Sequence, residues 1–237
     1  MKKLYIIKTG TTFKNILNKL GDFDQWIIDT IANKNLDICV IDIQNNDNLP
    51  TPENCLGIII TGSAAMATDE LPWSIQIEKW IPTIMKNEVP LLGICYGHQL
   101  LAKSMNGVVD YHPNGMEIGT TDITLNQHAK TDQLFHNLPN NFQVHTIHSQ
   151  TVLTLPKNAT LLASNKHDQH HAFKIGKNAW GVQFHPEYNT KVMSAYIEEI
   201  SKTNNFSHTQ LQTLIANVKN TNYSAKVLKN FATHILS

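Results

Sequence analysis

One cysteine of the chain lies in a setting that could make it a nucleophile. Cys95 stands between two glycines in Gly93-Ile94-Cys95-Tyr96-Gly97, where a short apolar run passes into a helical pattern. This is the cysteine form of the Gly-x-Ser-x-Gly elbow, in which glycines permit a sharp turn from strand to helix. A helix N-terminus lowers the pKa of a thiol, and the N–H of Tyr96 would face an oxyanion on an attacked carbonyl. The pattern predicts acyl transfer through a cysteine, whereas an isolated cysteine would indicate only an apolar core residue.

A cysteine nucleophile needs a base, and one histidine follows a predicted strand with a carboxylate beside it. His185 and Glu187 flank Pro186, directly after the apolar run at residues 179–184. Period-two alternation sends His185 and Glu187 to the same side, so the carboxylate could orient the imidazole toward a thiol. Cys95, His185 and Glu187 are therefore the candidate nucleophile, base and orienting residue.

Two blocks of the sequence, residues 93–99 and 182–187, resemble the class I (triad) glutamine amidotransferases. Within that family the chain looks most like stand-alone proteins that are similar to the glutaminase domain of GMP synthase. The resemblance implies a flavodoxin-like fold and hydrolysis of the side-chain amide of L-glutamine to glutamate and ammonia, with no cofactor. It also implies a γ-glutamyl thioester on Cys95, with His185 as base and acid and Glu187 as the residue that orients it.

Further residues match the family less sharply. Gly62 and Ser63 follow a predicted strand and match the loop that supplies the second oxyanion N–H, although the commoner Gly-Gly-Pro is replaced here by Gly-Ser-Ala. Gln99 lies one turn into the nucleophile helix and resembles a glutamine-contacting position. His148 and Ser149 match the segment whose backbone holds the α-amino and α-carboxylate groups of the substrate. Each could equally be an ordinary turn, helix or strand end.

The composition and the other polar clusters argue against several classes of function. Residues 167–171 read His-Asp-Gln-His-His, but no second ligand cluster matches them, so we predict no metal site. The 19 basic residues, all lysines, balance 19 acidic ones, which argues against a partner that is nucleic acid or a membrane. Cys39 and Cys55 fall in apolar runs without CxxC spacing, which favours reduced core residues and a cytoplasmic protein.

The elements that must position these residues change along the chain. The first half alternates apolar runs with helical patterns, which predicts parallel strands covered by helices. The runs are residues 4–7, 37–43, 55–61 and 89–95, and the helical patterns are 73–87 and 96–105. Short strands are predicted at residues 108–111, 118–125, 142–148, 160–164, 172–175 and 179–184. Helical patterns return over 190–202 and 209–233.

These patterns predict the fold class. We expect an α/β fold in which a mostly parallel sheet is flanked by helices and extended by a small antiparallel part. The resemblance implies that this sheet is the middle of a three-layer, flavodoxin-like arrangement. A single domain over 1–237, with a C-terminal helical segment at 190–237, is the simplest organisation because no linker or repeat interrupts the chain.

The sequence leaves three functions open. With no P-loop and no length for an ATP-using domain, the chain could be a glutaminase subunit that passes ammonia to a separate synthetase. It could instead be a self-sufficient γ-glutamyl peptidase, since Glu-Tyr-Asn at residues 187–189 resembles the plant-type γ-glutamyl peptidases. A non-catalytic regulatory relative is the third possibility, and the intact Cys95, His185 and Glu187 argue against it.

Overall fold

The computed structural model describes residues 2–45 and 47–237, and within them nine strands form one mixed sheet beside a two-stranded ribbon. The strands are β1 (Lys3–Lys8), β2 (Ile38–Asp42), β3 (Cys55–Ile60), β4 (Leu91–Ile94), β5 (Val108–Tyr111), β6 (Glu117–Leu125), β7 (Asn141–His148), β8 (Gln150–Thr154), β9 (Ala159–Ser164), β10 (Ala172–Ile175) and β11 (Ala179–Val182). The helices are α1 (Lys14–Leu20), α2 (Phe23–Ile31), α3 (Pro72–Lys86), α4 (Tyr96–Ser104), α5 (Thr190–Thr203), α6 (His208–Ala216) and α7 (Asn222–His234).

The sheet has a parallel half and an antiparallel half. Its strand order is β2-β1-β3-β4-β11-β10-β9-β6-β7, while β5 and β8 form the ribbon. Strands β2, β1, β3, β4 and β11 pair in parallel, and the pairs from β11 to β7 are antiparallel. The predicted mostly parallel sheet with an antiparallel extension is therefore confirmed.

Alternating side chains of the central strands build two separate cores. On β3, Ile59 belongs to the apolar cluster that includes Ile27 of α2 and Phe231 of α7. Its neighbour Ile60 belongs to the opposite cluster, with Ile81 of α3 and further residues of α4. Because successive side chains of a strand point to opposite faces, a continuous apolar run is what a sheet covered on both faces requires. The three layers follow from this pattern.

A third apolar cluster closes the carboxyl end of the parallel strands. It joins α1 and the start of α2 to α5, and it contains Phe23, Trp26, Tyr188 and Tyr196. Thr12 on the loop before α1 reaches across to α5, where its hydroxyl lies 2.7 Å from Tyr196 Oη. The C-terminal helical segment therefore packs beside the sheet edge where the candidate residues lie.

Two details of the sequence-based assignment need correction. The single helix predicted over 209–233 is wrong, because α6 ends at Ala216 and α7 begins at Asn222. The intervening residues include Asn217 and Asn220, which are weak helix formers, and the Lys219 N–H donates to Thr120 Oγ1 at 3.2 Å instead of continuing a helix. Strand β8, one residue beyond β7, was not predicted at all.

Among the described residues, no helix combines the length and apolarity that a membrane crossing requires.

Candidate active site

Cys95 occupies a strained backbone position between β4 and α4. Its φ of 49° and ψ of −98° lie outside the regions that residues other than glycine ordinarily adopt. A Cβ on Gly93 would overlap the carbonyl of Gly97, and a Cβ on Gly97 would lie 2.5 Å from the carbonyl oxygen of Ile60. Both glycines of the predicted elbow are therefore required by close backbone contacts, and the turn presents the Cys95 thiol at the start of a helix.

Two polar groups besides His185 lie near the Cys95 sulfur. Gln183 Nε2 lies 3.5 Å from Sγ, and the carbonyl oxygen of Ile147 lies 3.7 Å from it. The amide N–H of Gln183 can stabilise a thiolate, whereas the Ile147 oxygen can accept from a neutral thiol. Gln183 was not singled out from the sequence, although its place inside the block 182–187 was a signal that could have identified it.

His185 and Glu187 form a buried pair beside Cys95. His185 Nδ1 lies 2.7 Å from Glu187 Oε1, and both side chains are almost fully enclosed. Burial by itself would lower the pKa of His185, but the negative charges of Glu187 and Cys95 raise that pKa to about 10. Because Nδ1 is engaged by the carboxylate, Nε2 is the nitrogen left to serve Cys95. The pair is thus arranged to keep a proton on His185 at neutral pH.

The loop after β3 brings Gly62 directly against the nucleophile and the base. A Cβ on Gly62 would lie 2.8 Å from His185 Cε1 and 3.7 Å from Cys95 Cβ. Only glycine therefore lets the loop approach this closely. The sequence predicted that Gly62 and Ser63 would lie near Cys95, and the structure places them there.

Two threonine hydroxyls fix the orientation of the peptide between Gly62 and Ser63. Thr9 Oγ1 and Thr61 Oγ1 lie 3.0 and 2.9 Å from the Gly62 carbonyl oxygen. Since the N–H and C=O of a trans peptide point in opposite directions, the Ser63 N–H faces away from these threonines, and Ser63 lines the cavity that contains Cys95. Of the two loop residues, Ser63 is therefore the candidate to supply an oxyanion N–H. Thr9 was missed in the sequence, where its position just past β1 was the only signal.

The other candidate oxyanion donor is the backbone N–H of Tyr96, which also lines the cavity. The N–H groups of Cys95 and Gly97 are bonded to the carbonyls of Val182 and Thr61 at 2.8 and 3.2 Å. Tyr96 is the first residue of α4, and an amide in the first turn of a helix has no partner within the helix. The two candidate oxyanion N–H groups, of Tyr96 and Ser63, therefore belong to two separate elements.

Gln99 lines the same cavity, but most of its side chain is committed to protein contacts. Its Nε2 donates to the Gln150 carbonyl oxygen at 2.8 Å and to Gln183 Oε1 at 3.1 Å. Both amide protons are thereby used, which leaves only Oε1 for a ligand. Gln99 also fixes Gln183, the residue that contacts the Cys95 sulfur.

His148 and Ser149 lie at the turn between β7 and β8 and also line the cavity. The His148 ring is turned into the protein, with Nδ1 3.0 Å from the Gln150 carbonyl oxygen and Nε2 3.0 Å from Glu117 Oε2. Burial would raise the pKa of Glu117, but the facing rings of His148 and His171 bring it below its ordinary value. His148 can therefore offer a substrate its backbone rather than its imidazole.

The cavity that these residues share has a volume of about 360 Å³. All the predicted site residues except Gly62 and Glu187 line this cavity. The lining residues are Thr11, Thr12, Phe13, Phe23, Ser63, Ala64, Ala65, Met66, Cys95, Tyr96, Gln99, Met116, Ile147, His148, Ser149, Gln150, His185, Tyr188, Tyr196 and Ile200. None of these described residues is a lysine, aspartate or glutamate, so charged substrate groups must be met by backbone dipoles, hydroxyls and amides.

Comparison with known proteins gives consistent matches. The family model for class I glutamine amidotransferases matches residues 16–202. Gamma-glutamyl peptidase 4 of Arabidopsis thaliana is 29% identical over 181 residues, which cover 74% of this chain and 72% of the peptidase. A glutamine-hydrolysing GMP synthase of Porphyromonas gingivalis is 32% identical over 148 residues, which cover 60% of this chain but only 28% of the synthase.

Solved structures agree on the fold. A glutamine amidotransferase from Thermotoga maritima superposes with a TM-score of 0.78 over 100% of this chain and 99% of its own, at 23% sequence identity. A glutamine amidotransferase from Methylobacillus flagellatus gives a TM-score of 0.73 at 21% identity, covering 98% of this chain and 95% of its own. At these identities the likeness concerns the fold, and it matches the flavodoxin-like arrangement that the sequence predicted.

Proposed function

This chain belongs to the class I glutamine amidotransferase family, and we propose that it hydrolyses a γ-glutamyl amide through a thioester on Cys95. It is an enzyme of the hydrolase and amidotransferase type. The observation that carries the proposed reaction is the buried His185–Glu187 pair, 2.7 Å between Nδ1 and Oε1, beside a cysteine on a strained elbow. L-Glutamine is the simplest substrate with this bond.

The first step uses the proton that His185 holds. The Cys95 thiolate attacks the side-chain amide carbon, and the N–H groups of Tyr96 and Ser63 stabilise the resulting oxyanion. Removing one donor of this kind typically lowers the rate by about 100- to 1,000-fold. His185 Nε2 then gives its proton to the departing nitrogen, so that ammonia or an amine leaves and a γ-glutamyl thioester remains.

The second step reverses the role of His185. Its neutral Nε2 now takes a proton from water, which attacks the thioester carbonyl while the same two N–H groups stabilise the oxyanion. Collapse releases glutamate and returns the thiolate and the imidazolium. Glu187 stays ionised throughout, orienting His185 and stabilising its charged form.

Substrate binding in this proposal relies on backbone and neutral groups. We assign the α-amino and α-carboxylate groups to the backbone of His148 and Ser149 and a supporting contact to Gln99 Oε1. The chain contains no arginine that could form a bidentate pair with the carboxylate. The three cysteines are free, and we infer a reducing cytoplasmic setting that keeps Cys95 a thiol.

The fate of the nitrogen separates two versions of the proposal. In the first, ammonia passes from glutamine to a separate synthetase subunit, as the similarity to GMP synthase suggests. In the second, the chain works alone as a γ-glutamyl peptidase. The fixed Gly62–Ser63 peptide favours the second version, because the chain's own Thr9 and Thr61 orient the oxyanion loop without a partner. A non-catalytic regulatory role would leave this arrangement unexplained.

The test is glutamate release by the purified chain from L-glutamine and from a γ-glutamyl dipeptide, each compared with Cys95→Ala. Release that depends on Cys95 supports the proposed chemistry, and preference for the dipeptide identifies a self-sufficient hydrolase. Weak release from glutamine alone supports a subunit that needs a synthetase. Full activity in Cys95→Ala would disprove the proposed nucleophile.

A further inference from the structure

A second buried cluster of ionisable side chains lies on the antiparallel half of the sheet and takes no part in the proposed reaction. Glu117 at the start of β6, His148 at the end of β7 and His171 just before β10 place one carboxylate oxygen and two ring nitrogens within 4.8 Å of one another. Both Nε2 atoms lie 3.0 Å from Glu117 Oε2. The side chains of Glu117, His148 and His171 are only 10%, 1% and 0% exposed.

The contacts of His148 fix its ring orientation and turn Nε2 toward Glu117. Its Nδ1 lies 3.0 Å from the Gln150 carbonyl oxygen, which can only accept, so the ring proton is on Nδ1. In the neutral ring Nε2 then carries a lone pair, yet it faces Glu117 Oε2, a second acceptor. A metal ion placed between Nε2 and Oε2 would be coordinated by the lone pairs of both atoms.

The charges around His148 favour a divalent ion. Asp168 Oδ2 lies 3.9 Å from the same Nε2, so two buried carboxylates face one imidazole. Within the described part of the chain, neither Glu117 nor Asp168 has a lysine at ion-pair distance. A divalent cation bound among these groups would balance the charges of both carboxylates.

We propose that Glu117, His148 and His171 bind a Zn²⁺ ion, with Asp168 or a water completing four ligands. Two imidazoles and a carboxylate are a donor set that zinc takes in proteins, and Zn–ligand distances of about 2.0 Å place tetrahedral ligand atoms about 3.3 Å apart. The 3.0 Å separations at Glu117 Oε2 are close to this spacing. The proposal does not depend on the proposed reaction.

Outer contacts already orient two of the ligands. The Gln150 carbonyl holds His148 Nδ1, and Asn165 Nδ2 donates to the other oxygen of Glu117 at 2.7 Å. Partners of this kind fix the ring tautomer and the carboxylate orientation around protein-bound zinc. The same bonds hold the β7–β8 turn, so a bound ion would tie that turn, with Ser149 at its tip, to β6.

Further histidines lie between the cluster and solvent. The rings of His112 and His167 stack with centroids 4.1 Å apart, and the His167 centroid lies 6.3 Å from that of His148. Both His112 and His167 are partly exposed. They form a histidine-lined approach along which a zinc ion could reach the buried ligands.

The test measures zinc binding to the full chain carrying Cys95→Ala, which removes the thiol as a competing ligand. Competition with a chelating dye and metal analysis after dialysis are expected to give one tightly held Zn²⁺ per chain. Glu117→Gln and His171→Gln, each added to Cys95→Ala, are expected to weaken binding at least tenfold. His208→Gln, which removes an exposed histidine outside the cluster, is the matched control and is expected to bind zinc normally.

The result that overturns the proposal is equally direct. A Cys95→Ala chain that binds no zinc would disprove the proposed site. Glu117→Gln and His171→Gln chains that bind zinc as tightly as the His208→Gln chain would place the ion elsewhere. Thermal unfolding is measured for each variant to check that it is folded. If one of the two cluster variants is unfolded, the zinc affinity of the other tests the proposal. Every chain in this test carries Cys95→Ala, and zinc binding is measured without any enzyme activity. The result therefore tests the zinc site separately from the proposed reaction.

Discussion

Two buried histidine–carboxylate pairs border the same cavity, and they differ in what the second ring nitrogen faces. In the pair of His185 and Glu187, the carboxylate holds Nδ1 at 2.7 Å, and Nε2 is left for the thiol of Cys95. In the pair of His148 and Glu117, the carboxylate faces Nε2 at 3.0 Å, and a backbone carbonyl takes Nδ1. The first imidazole can exchange a proton with a substrate, and the second has no nitrogen available to do so.

The difference shows that a close histidine–carboxylate contact does not by itself make a general base. Whether the histidine can act as a base depends on which group lies beside its other ring nitrogen. The position of the strand that carries the histidine determines that group. His185 follows β11 in the parallel half, where strand ends open onto the cavity. His148 ends β7 directly opposite Glu117 in the antiparallel ladder, so its ring is enclosed by the next strand. The following predictions test this comparison, from the largest expected effect to the smallest.

The largest effect is expected for His185→Gln. Loss of the general acid and base lowers kcat by roughly 100- to 10,000-fold. Steady-state glutamate release checks this value, with His208→Gln as the control that removes an exposed histidine and leaves kcat unchanged. A His185→Gln enzyme with near-normal kcat would place the proton transfer on another group and remove the distinction between the two pairs.

Glu187→Gln is expected to lower kcat less and to change the pH profile. The pKa of His185 is about 10 because the charges of Glu187 and Cys95 outweigh burial, so the imidazolium and its activity are lost only as the pH rises through that value. Without the Glu187 charge, burial lowers this pKa, and the alkaline limb of kcat/KM moves to lower pH. An unchanged alkaline limb in Glu187→Gln would show that this carboxylate does not set the proton affinity of His185.

Thr9→Val is expected to lower kcat about tenfold, the equivalent of ~1.4 kcal/mol for one hydrogen bond that positions an oxyanion donor. The valine keeps the shape of threonine but loses the bond to the Gly62 carbonyl, so KM changes little. Thr9→Ser retains the hydroxyl and is expected to restore most of the activity. If Thr9→Ser is as impaired as Thr9→Val, the hydroxyl is not what orients the Ser63 N–H.

The smallest effect is expected for Glu117→Gln. Weaker support of the β7–β8 turn raises KM by about fivefold, which corresponds to ~1 kcal/mol, while kcat changes less. Kinetics with saturating and limiting substrate separate the two parameters. A kcat loss as large as that of His185→Gln would mean that the second pair also acts in the chemical step.

The parallel half of the fold was predictable because its signals are local. Each buried strand is a continuous apolar run, and the runs alternate with helical patterns, as a sheet covered on both faces requires. The break between α6 and α7 was not predictable in the same way. Besides the weak helix formers Asn217 and Asn220, the break involves a bond from the Lys219 N–H to Thr120, which is 99 positions away in the chain.

The same difference between local and long-range signals applies to the candidate site. Cys95, His185 and Glu187 could be proposed from the sequence because each lies in a compact motif with a physical reason for its spacing. Thr9 was missed because its hydroxyl acts on the loop after β3, where it contacts the Gly62 carbonyl oxygen. The sequence around Thr9 shows only that a strand ends there. The cluster of Glu117, His148 and His171 was also hidden, since its members are brought together by strand pairing and not by any spacing along the chain.

The most direct test of the central claim is to find the residue that a glutamine-analogue alkylating inhibitor modifies. Intact-mass and peptide-mass measurements on the full chain would identify the modified cysteine among Cys39, Cys55 and Cys95. We expect one adduct per chain, located on Cys95, prevented by excess γ-glutamyl substrate and absent from Cys95→Ala. An adduct on Cys39 or Cys55, or modification that Cys95→Ala does not prevent, would contradict the assignment of Cys95 as the nucleophile.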